Sequence, residues 1–169
     1  MTALTGGALL ALALVLGGCT PEPAPQPTPT SPFTSEEEAF AAAEATYRAY
    51  VDAVNERRAD AGAPDPQQYL LGQALESDID TQRQLDQAGI TVVGPSRVVN
   101  FSATSTSAGF TEVQASACLD ASESRAIDSA GEDVTPPGRD PTTVLDLTFD
   151  LAGDQLVITS STVSKDQSC

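Results

Sequence analysis

Histidine and tryptophan are absent from this 169-residue chain, and methionine occurs once. Without histidine there is no imidazole to activate a serine or cysteine nucleophile, to shuttle protons near neutral pH, or to ligate zinc or haem. Positive charge is scarce: eight Lys and Arg stand against 24 Asp and Glu, a net charge of −16, and Lys165 is the one basic residue that is not Arg. Nucleic-acid affinity depends on neutralising phosphates with Lys and Arg, so nucleic acid is not an expected partner. Anionic headgroups repel such a chain as well, which argues against adsorption onto a lipid surface. What the acidity does supply is solubility. Long apolar runs are also missing. The run Ala8–Leu16 has nine residues, short of the roughly 17–25 that a membrane-crossing helix needs.

That run fits a signal-peptide apolar region of about 7–15 residues instead. It leads into Leu16-Gly17-Gly18-Cys19. This box resembles the lipobox of bacterial lipoproteins, in which small residues let a peptidase reach the backbone and the cysteine then receives a diacylglyceryl thioether. Residues 1–7 carry no Lys or Arg, whereas signal peptides open on a basic segment, so the expectation is a start upstream of Met1. Two acyl chains hold a protein stably at a membrane where one does not. Residues 20–33 contain six prolines in fourteen positions. Such a stretch favours polyproline II, a semi-rigid spacer that at ~3.1 Å per residue reaches on the order of 40 Å. The expected organisation is a signal peptide over 1–18, a lipidated Cys19 with its stalk over 19–33, and one extracytoplasmic domain over 34–169. The expected location is the outer face of the cell membrane, with the lipid on Cys19 as the contact to it.

Three cysteines are present. With Cys19 given to lipid, Cys118 and Cys169 remain, an even pair in an oxidising compartment, and a disulfide between them is expected. Closing that loop stabilises by roughly 4 kcal/mol in the chain-entropy model. Two free thiols are the alternative. A catalytic cysteine would lack a histidine base, and two cysteines at this spacing lack partner ligands for a metal.

Within the domain, Thr34 or Ser35 followed by Glu37 or Glu38 reads as a capping box, and the run Glu36–Glu38 suits the positive end of a helix dipole. Phe40, Ala43, Tyr47, Tyr50, Val51 and Val54 recur at helical spacing, predicting a helix to about Ala59. Asp65-Pro66 opens a short helix, and a second follows over about Leu75–Ala88, with Leu75, Ile79 and Leu85 on its apolar side and Gly89 as a left-handed cap. From Ile90 the period becomes two. A strand bent at Gly94-Pro95 is expected over 90–101, with Val99, Phe101 and Ala103 on one face. Further strands are expected over Phe110–Leu119, Thr143–Leu151 and Gln155–Val163, the last two joined by a turn at Ala152-Gly153-Asp154. Residues 120–141 form a polar excursion in which Arg125–Ile127 reads as an edge segment.

Helices followed by antiparallel strands imply an α+β fold, with the N-terminal helices packed against a curved antiparallel sheet. The LGGC box at 16–19, the proline stalk, AFAAAEATYRAYVDAVN at 39–55, ACLD at 117–120 and the terminal Cys169 resemble, over nearly the whole chain, small actinobacterial lipoproteins with a nuclear-transport-factor-2-like, cystatin-related cone domain. In those proteins a strand end of this kind often pairs with a C-terminal cysteine. Some enzymes of the cone fold use a pocket Asp as base with a Tyr stabilising an oxyanion, which would draw here on Asp120 with Tyr47 or Tyr50. Asp120 would then need a raised pKa and reach to a bound carbonyl; the plainer reading makes the tyrosines core and Asp120 a turn cap. A calcium loop at Asp78-Ile79-Asp80 fails because Gln82 and Arg83 stand where a ligand and Gly belong. No metal or cofactor is implied. The expected function is a non-catalytic binding or interaction module of the cell envelope, contacting an envelope protein, a wall component or a small ligand. The alternative is a small histidine-independent isomerase or hydratase.

Overall fold

A computed structural model describes residues 31–165 and 168–169. The apolar run, Cys19 and the prolines up to residue 29 lie outside the described residues. Helix α1 spans Glu36–Ala59 and α2 spans Gly72–Ala88, with a 3₁₀ turn, Pro66–Tyr69, between them. Six strands follow: β1 (Thr91–Val93), β2 (Arg97–Thr106), β3 (Glu112–Asp120), β4 (Arg125–Ile127), β5 (Thr142–Ala152) and β6 (Gln155–Val163). The main antiparallel sheet has the order β2-β3-β5-β6, and β1 pairs with β4 in a separate two-stranded ribbon. The fold is α+β, with the helices on one face of the main sheet. Among the described residues no helix is long and apolar enough to cross a membrane.

The capping box forms as its residues dictate. The Ser35 hydroxyl accepts from the Glu38 amide at 3.2 Å, while the Glu38 carboxylate accepts from both the amide and the hydroxyl of Thr34 at 2.8 Å. Those donors hold the Glu38 carboxyl below its ordinary pKa. Ala39, Ala43, Tyr47 and Val51, spaced by four, are the buried stripe of α1. They pack on Val113, Ala115 and Ala117 of β3, Leu147 and Phe149 of β5, and Leu156 and Ile158 of β6. Alanine at 39 and 43 lets the helix approach the strands closely, and Tyr47 fills the wider part beside Phe101, ring centroids 6.1 Å apart. Phe33 joins this core and the Ser31 hydroxyl donates to the Phe110 carbonyl, so residues 31–33, read from sequence as stalk, pack on the domain.

Three further details differ from the sequence reading. The segment 90–101 is two strands in two sheets, because Gly94 turns the chain at φ 80° and delivers β1 to β4. A β-bulge between Val98 and Asn100 turns Val99 outward, 56% exposed, and puts Val98 against the core with Phe101 and Ala103. An extra residue in one strand shifts the alternation after it, and periodicity alone does not reveal where. The stretch before α2 is interrupted at Leu70 and Leu71, where Leu70 bridges Ile158 and the Leu71 amide donates to the Ile158 carbonyl.

The other elements fall where their residues point. Gly89 closes α2 at φ 64°, with its own amide donating to Asp86 and that of Ile90 to Leu85, a Schellman pairing. Leu145, Leu147, Phe149 and Leu151 face the helices as the alternation implies. On the opposite face, Cys118 and Cys169 stand at disulfide distance, with Cα atoms 5.6 Å apart. Cys118 lies on β3, two strands from β6, so the chain's end sits over the outer face. That explains why Cys118 and Val144 are buried on an otherwise polar surface.

Candidate functional site

Tyr50, Val54 and Arg58 follow one another at i, i+4 and i+8, so they line a single face of the C-terminal half of α1. That face is not covered by α2. The second helix leans on β6, with Ala74 as its buried residue, rather than on α1. Between the two helices opens a cleft of about 650 Å³, within the usual size range of small-molecule sites. Its walls are Tyr50, Val54, Arg57 and Arg58 of α1; Asp65, Pro66 and Gln67 of the connecting turn; Asp78, Thr81, Gln82, Leu85 and Asp86 of α2; and Ile90, Thr91 and Val92 at β1.

Arg58 is anchored from below by a polar knot. Its Nη1 donates to the Gly94 carbonyl at 3.2 Å, the Ser96 hydroxyl at 3.0 Å and the Ser124 hydroxyl at 3.4 Å. Ser96 and Ser124 are the buried polar residues among those described, and their hydroxyls meet at 3.2 Å. Asn55 completes the knot: its side chain donates to the Ser96 carbonyl at 2.8 Å and accepts from the Ser96 amide at 2.9 Å. The Ser124 hydroxyl also donates to the Pro95 carbonyl at 2.9 Å. The β1–β4 ribbon is thereby tied to α1, and the guanidinium plane is fixed at the base of the cleft.

The charges around it are unequal in their pairing. Arg57 lies 3.8 Å from Asp65, whose carboxylate also caps the Gln67 amide at 3.0 Å. Asp78 accepts from the Gln67 side chain at 2.9 Å. Arg58 has no carboxylate within 4 Å among the described residues. Burial pulls its pKa down, as expected for a charge taken from water. The Tyr50 hydroxyl makes no hydrogen bond to a described residue. Burial foremost, then the charge of Asp78, push it up to about 12, against an opposing pull from Arg58.

The residues singled out from sequence divide. Tyr47 is core, 1% exposed, and burial raises its pKa. Tyr50 reaches the cleft. Asp120 does not line it. Its carboxylate is exposed, accepts from the Ser122 amide at 2.8 Å, and is held below the usual range by that bond. A general base needs the opposite shift, so the pairing of Asp120 with a tyrosine is not formed. Asp128 caps the loop at Ala130 and Glu132, and Asp133 binds Thr135 and Arg125. Among the described residues no group of three or more acidic or cysteine side chains is placed to hold a metal ion. Arg58 was not singled out from sequence, because Arg57-Arg58 in a last helical turn is what the helix dipole alone would favour. Its helical register with Tyr50 and Val54 was the available signal.

No protein-family model matches the chain, and no curated protein matches it. Two solved structures are similar in fold. One is the intermembrane space region of the chloroplast protein ARC6, at 18% identity over 70% of this chain and 94% of that one, with a TM-score of 0.47. The other is a candidate polyketide cyclase from Xanthomonas campestris pv. campestris, at 16% identity over 74% of this chain and 90% of that one, with a TM-score of 0.37.

Proposed function

We propose that this chain is a lipoprotein of the cell envelope, held by a diacylglyceryl group on Cys19, and that its domain is a non-catalytic binding module whose ligand site is the α1–α2 cleft. The observation that carries the binding reading is the cleft itself: about 650 Å³, with an apolar wall of Val54, Leu85, Ile90 and Val92 and a fixed guanidinium at its base. Small-molecule sites are concave and combine apolar area with convergent polar groups; here polar and charged residues make up more than half of the lining. The groove on the outer face of the sheet is smaller, about 290 Å³, and is lined by Ser, Thr, Gln and Asp with only Ala115 and Leu147 as apolar residues. Catalysis is disfavoured because Asp120, the acid proposed as base, sits in water away from the tyrosines. The tether rests on the Leu16–Cys19 box and the proline stalk, and the domain resembles a nuclear-transport-factor-2-like cone in its order of helices and strands.

Two experiments test this. Thr81→Trp places a large side chain into the cleft from its exposed wall. Neutral aromatic fragments such as indole and phenol should give saturation-transfer signals with the wild-type chain and lose them with the variant. Equal signals in both would remove the cleft as the site. Cys19→Ser should abolish acyl labelling in cells and shift the protein out of the membrane fraction or leave it unprocessed; undiminished labelling would refute the tether.

A further inference from the structure

We propose that the α1–α2 cleft selects a small monocarboxylate, with the Arg58 guanidinium and the Tyr50 hydroxyl as its donors and Val54, Leu85 and Ile90 as the seat for an apolar body. This rests on the cleft being the ligand site and names the chemistry that site prefers.

The guanidinium carries five N–H groups in a planar fork. Nη1 alone serves the knot at Gly94, Ser96 and Ser124, while Nε and Nη2 meet no acceptor among the described residues. The fork is therefore held in place by one of its nitrogens and unused at the others, which lowers the ordering cost of receiving a carboxylate. Tyr50 adds a second donor without a protein partner, near enough that the Arg58 charge favours its ionised form. Both residues line one cleft whose other walls are apolar at Val54, Leu85 and Ile90.

The neighbouring acids set the charge of the ligand rather than oppose it outright. Asp65 is occupied by Arg57 and by the Gln67 amide, and Asp78 by the Gln67 side chain. Asp86 also lines the cleft. The lining holds two arginines and three carboxylates, so an anion is held only through direct contact with the Arg58 fork, and the second charge of a phosphate ester or a polyanion is repelled. A protonated amine is the competing choice, since Asp78 keeps one oxygen outside the Gln67 contact and Asp86 also lines the cleft, but it would leave Arg58 without a partner.

The test uses three probes of similar size and different charge, benzoate, benzamide and benzylamine, on the full lipidated chain in lipid nanodiscs. Dissociation constants come from ligand-observed NMR with empty nanodiscs subtracted. Benzoate should bind about tenfold or more tightly than benzamide, the scale of a hydrogen bond to a charged group. Arg58→Gln disturbs the knot and can unfold the domain, so the decisive variant is Tyr50→Phe, which removes a hydroxyl with no protein partner. It should weaken benzoate several-fold and benzamide, the weaker acceptor, by less. Arg58→Lys, which keeps the charge and loses the fork, should weaken benzoate further. If benzamide or benzylamine binds as tightly as benzoate, or if Tyr50→Phe has no effect on benzoate, the carboxylate preference is overturned while the cleft remains a binding site. If none of the three binds, the binding-site reading falls with it.

Discussion

Replacing Gly94 by alanine tests the joint on which the site is built. Gly94 has φ 80°, and a Cβ built on it would stand 2.2 Å from the Glu123 carbonyl oxygen. The left-handed conformation costs a non-glycine residue about 1–2 kcal/mol. The overlap adds to this, because the obstacle is backbone and the 123–124 loop must retreat by roughly 1 Å to reach ordinary contact. Retreat pulls on the Ser124 hydroxyl bonded to Pro95, on its contact with Ser96, and on the Arg58 bond to Ser124. Two or three such bonds at about 0.5–1.5 kcal/mol each give about 1–4.5 kcal/mol beyond the conformational cost. Gly131 is the control: its φ is 86° and nothing lies within 4 Å of its Cβ position, so Gly131→Ala carries the conformational cost alone. Thermal unfolding followed by circular dichroism should place Tm of Gly94→Ala below that of Gly131→Ala by roughly 4–18 °C, at about 4 °C per kcal/mol for a domain of this size. Equal melting of the two variants would refute the knot as a source of stability.

Other outcomes follow from the same geometry. Cys118 and Cys169 are separated by 51 residues, and opening a link of that span removes about 4 kcal/mol. Reduction, or Cys169→Ser, should therefore lower Tm by more than about 10 °C; identical melts with and without reductant would contradict the pairing. Val99→Asp should change stability by less than about 0.5 kcal/mol, as at ordinary surface positions, and Val98→Asp should destabilise severely. The reverse order in denaturant titrations would remove the bulge. For Tyr47 and Tyr50 the folded pKa lies above the ordinary value, so their contribution to stability is complete below pH 10 and is lost as pH rises toward 12. Absorbance at 295 nm, read with circular dichroism, should show these two tyrosines ionising together with alkaline unfolding. Ionisation of Tyr50 near pH 10 in the folded state would contradict its burial.

Much of the fold was legible because its signals are local. The Ser35–Glu38 box, the four-residue stripe through Tyr47, the Gly89 cap and the alternation from Leu145 to Leu151 each depend on neighbours a few residues away. The bulge at Val99 and the departure of β1 to β4 depend on pairing partners roughly 20–35 residues distant, and no periodicity in the strand itself reports them. The candidate site was legible only in part. Tyr50 was visible as a helical aromatic, but its difference from Tyr47 lies in Tyr47 facing the sheet while Tyr50 faces the cleft between the helices. Arg58 looked like an ordinary basic residue in a last turn until Gly94, Ser96 and Ser124 were brought beneath it. Asp120 is the turn cap that the plainer reading made it, and the alternative stayed open in the sequence because a strand-end carboxylate and a catalytic one look alike until solvent exposure and the Ser122 bond are known.

The central claim is that the space between α1 and α2 is where this domain meets a ligand. Its most direct test is to map benzoate onto the full chain by amide chemical-shift changes. The expected result is a set of shifts clustered at Tyr50, Arg58, Thr81, Leu85 and Ile90. Shifts confined to the outer sheet face, at Ser116, Asp146 and Ser160, would contradict it.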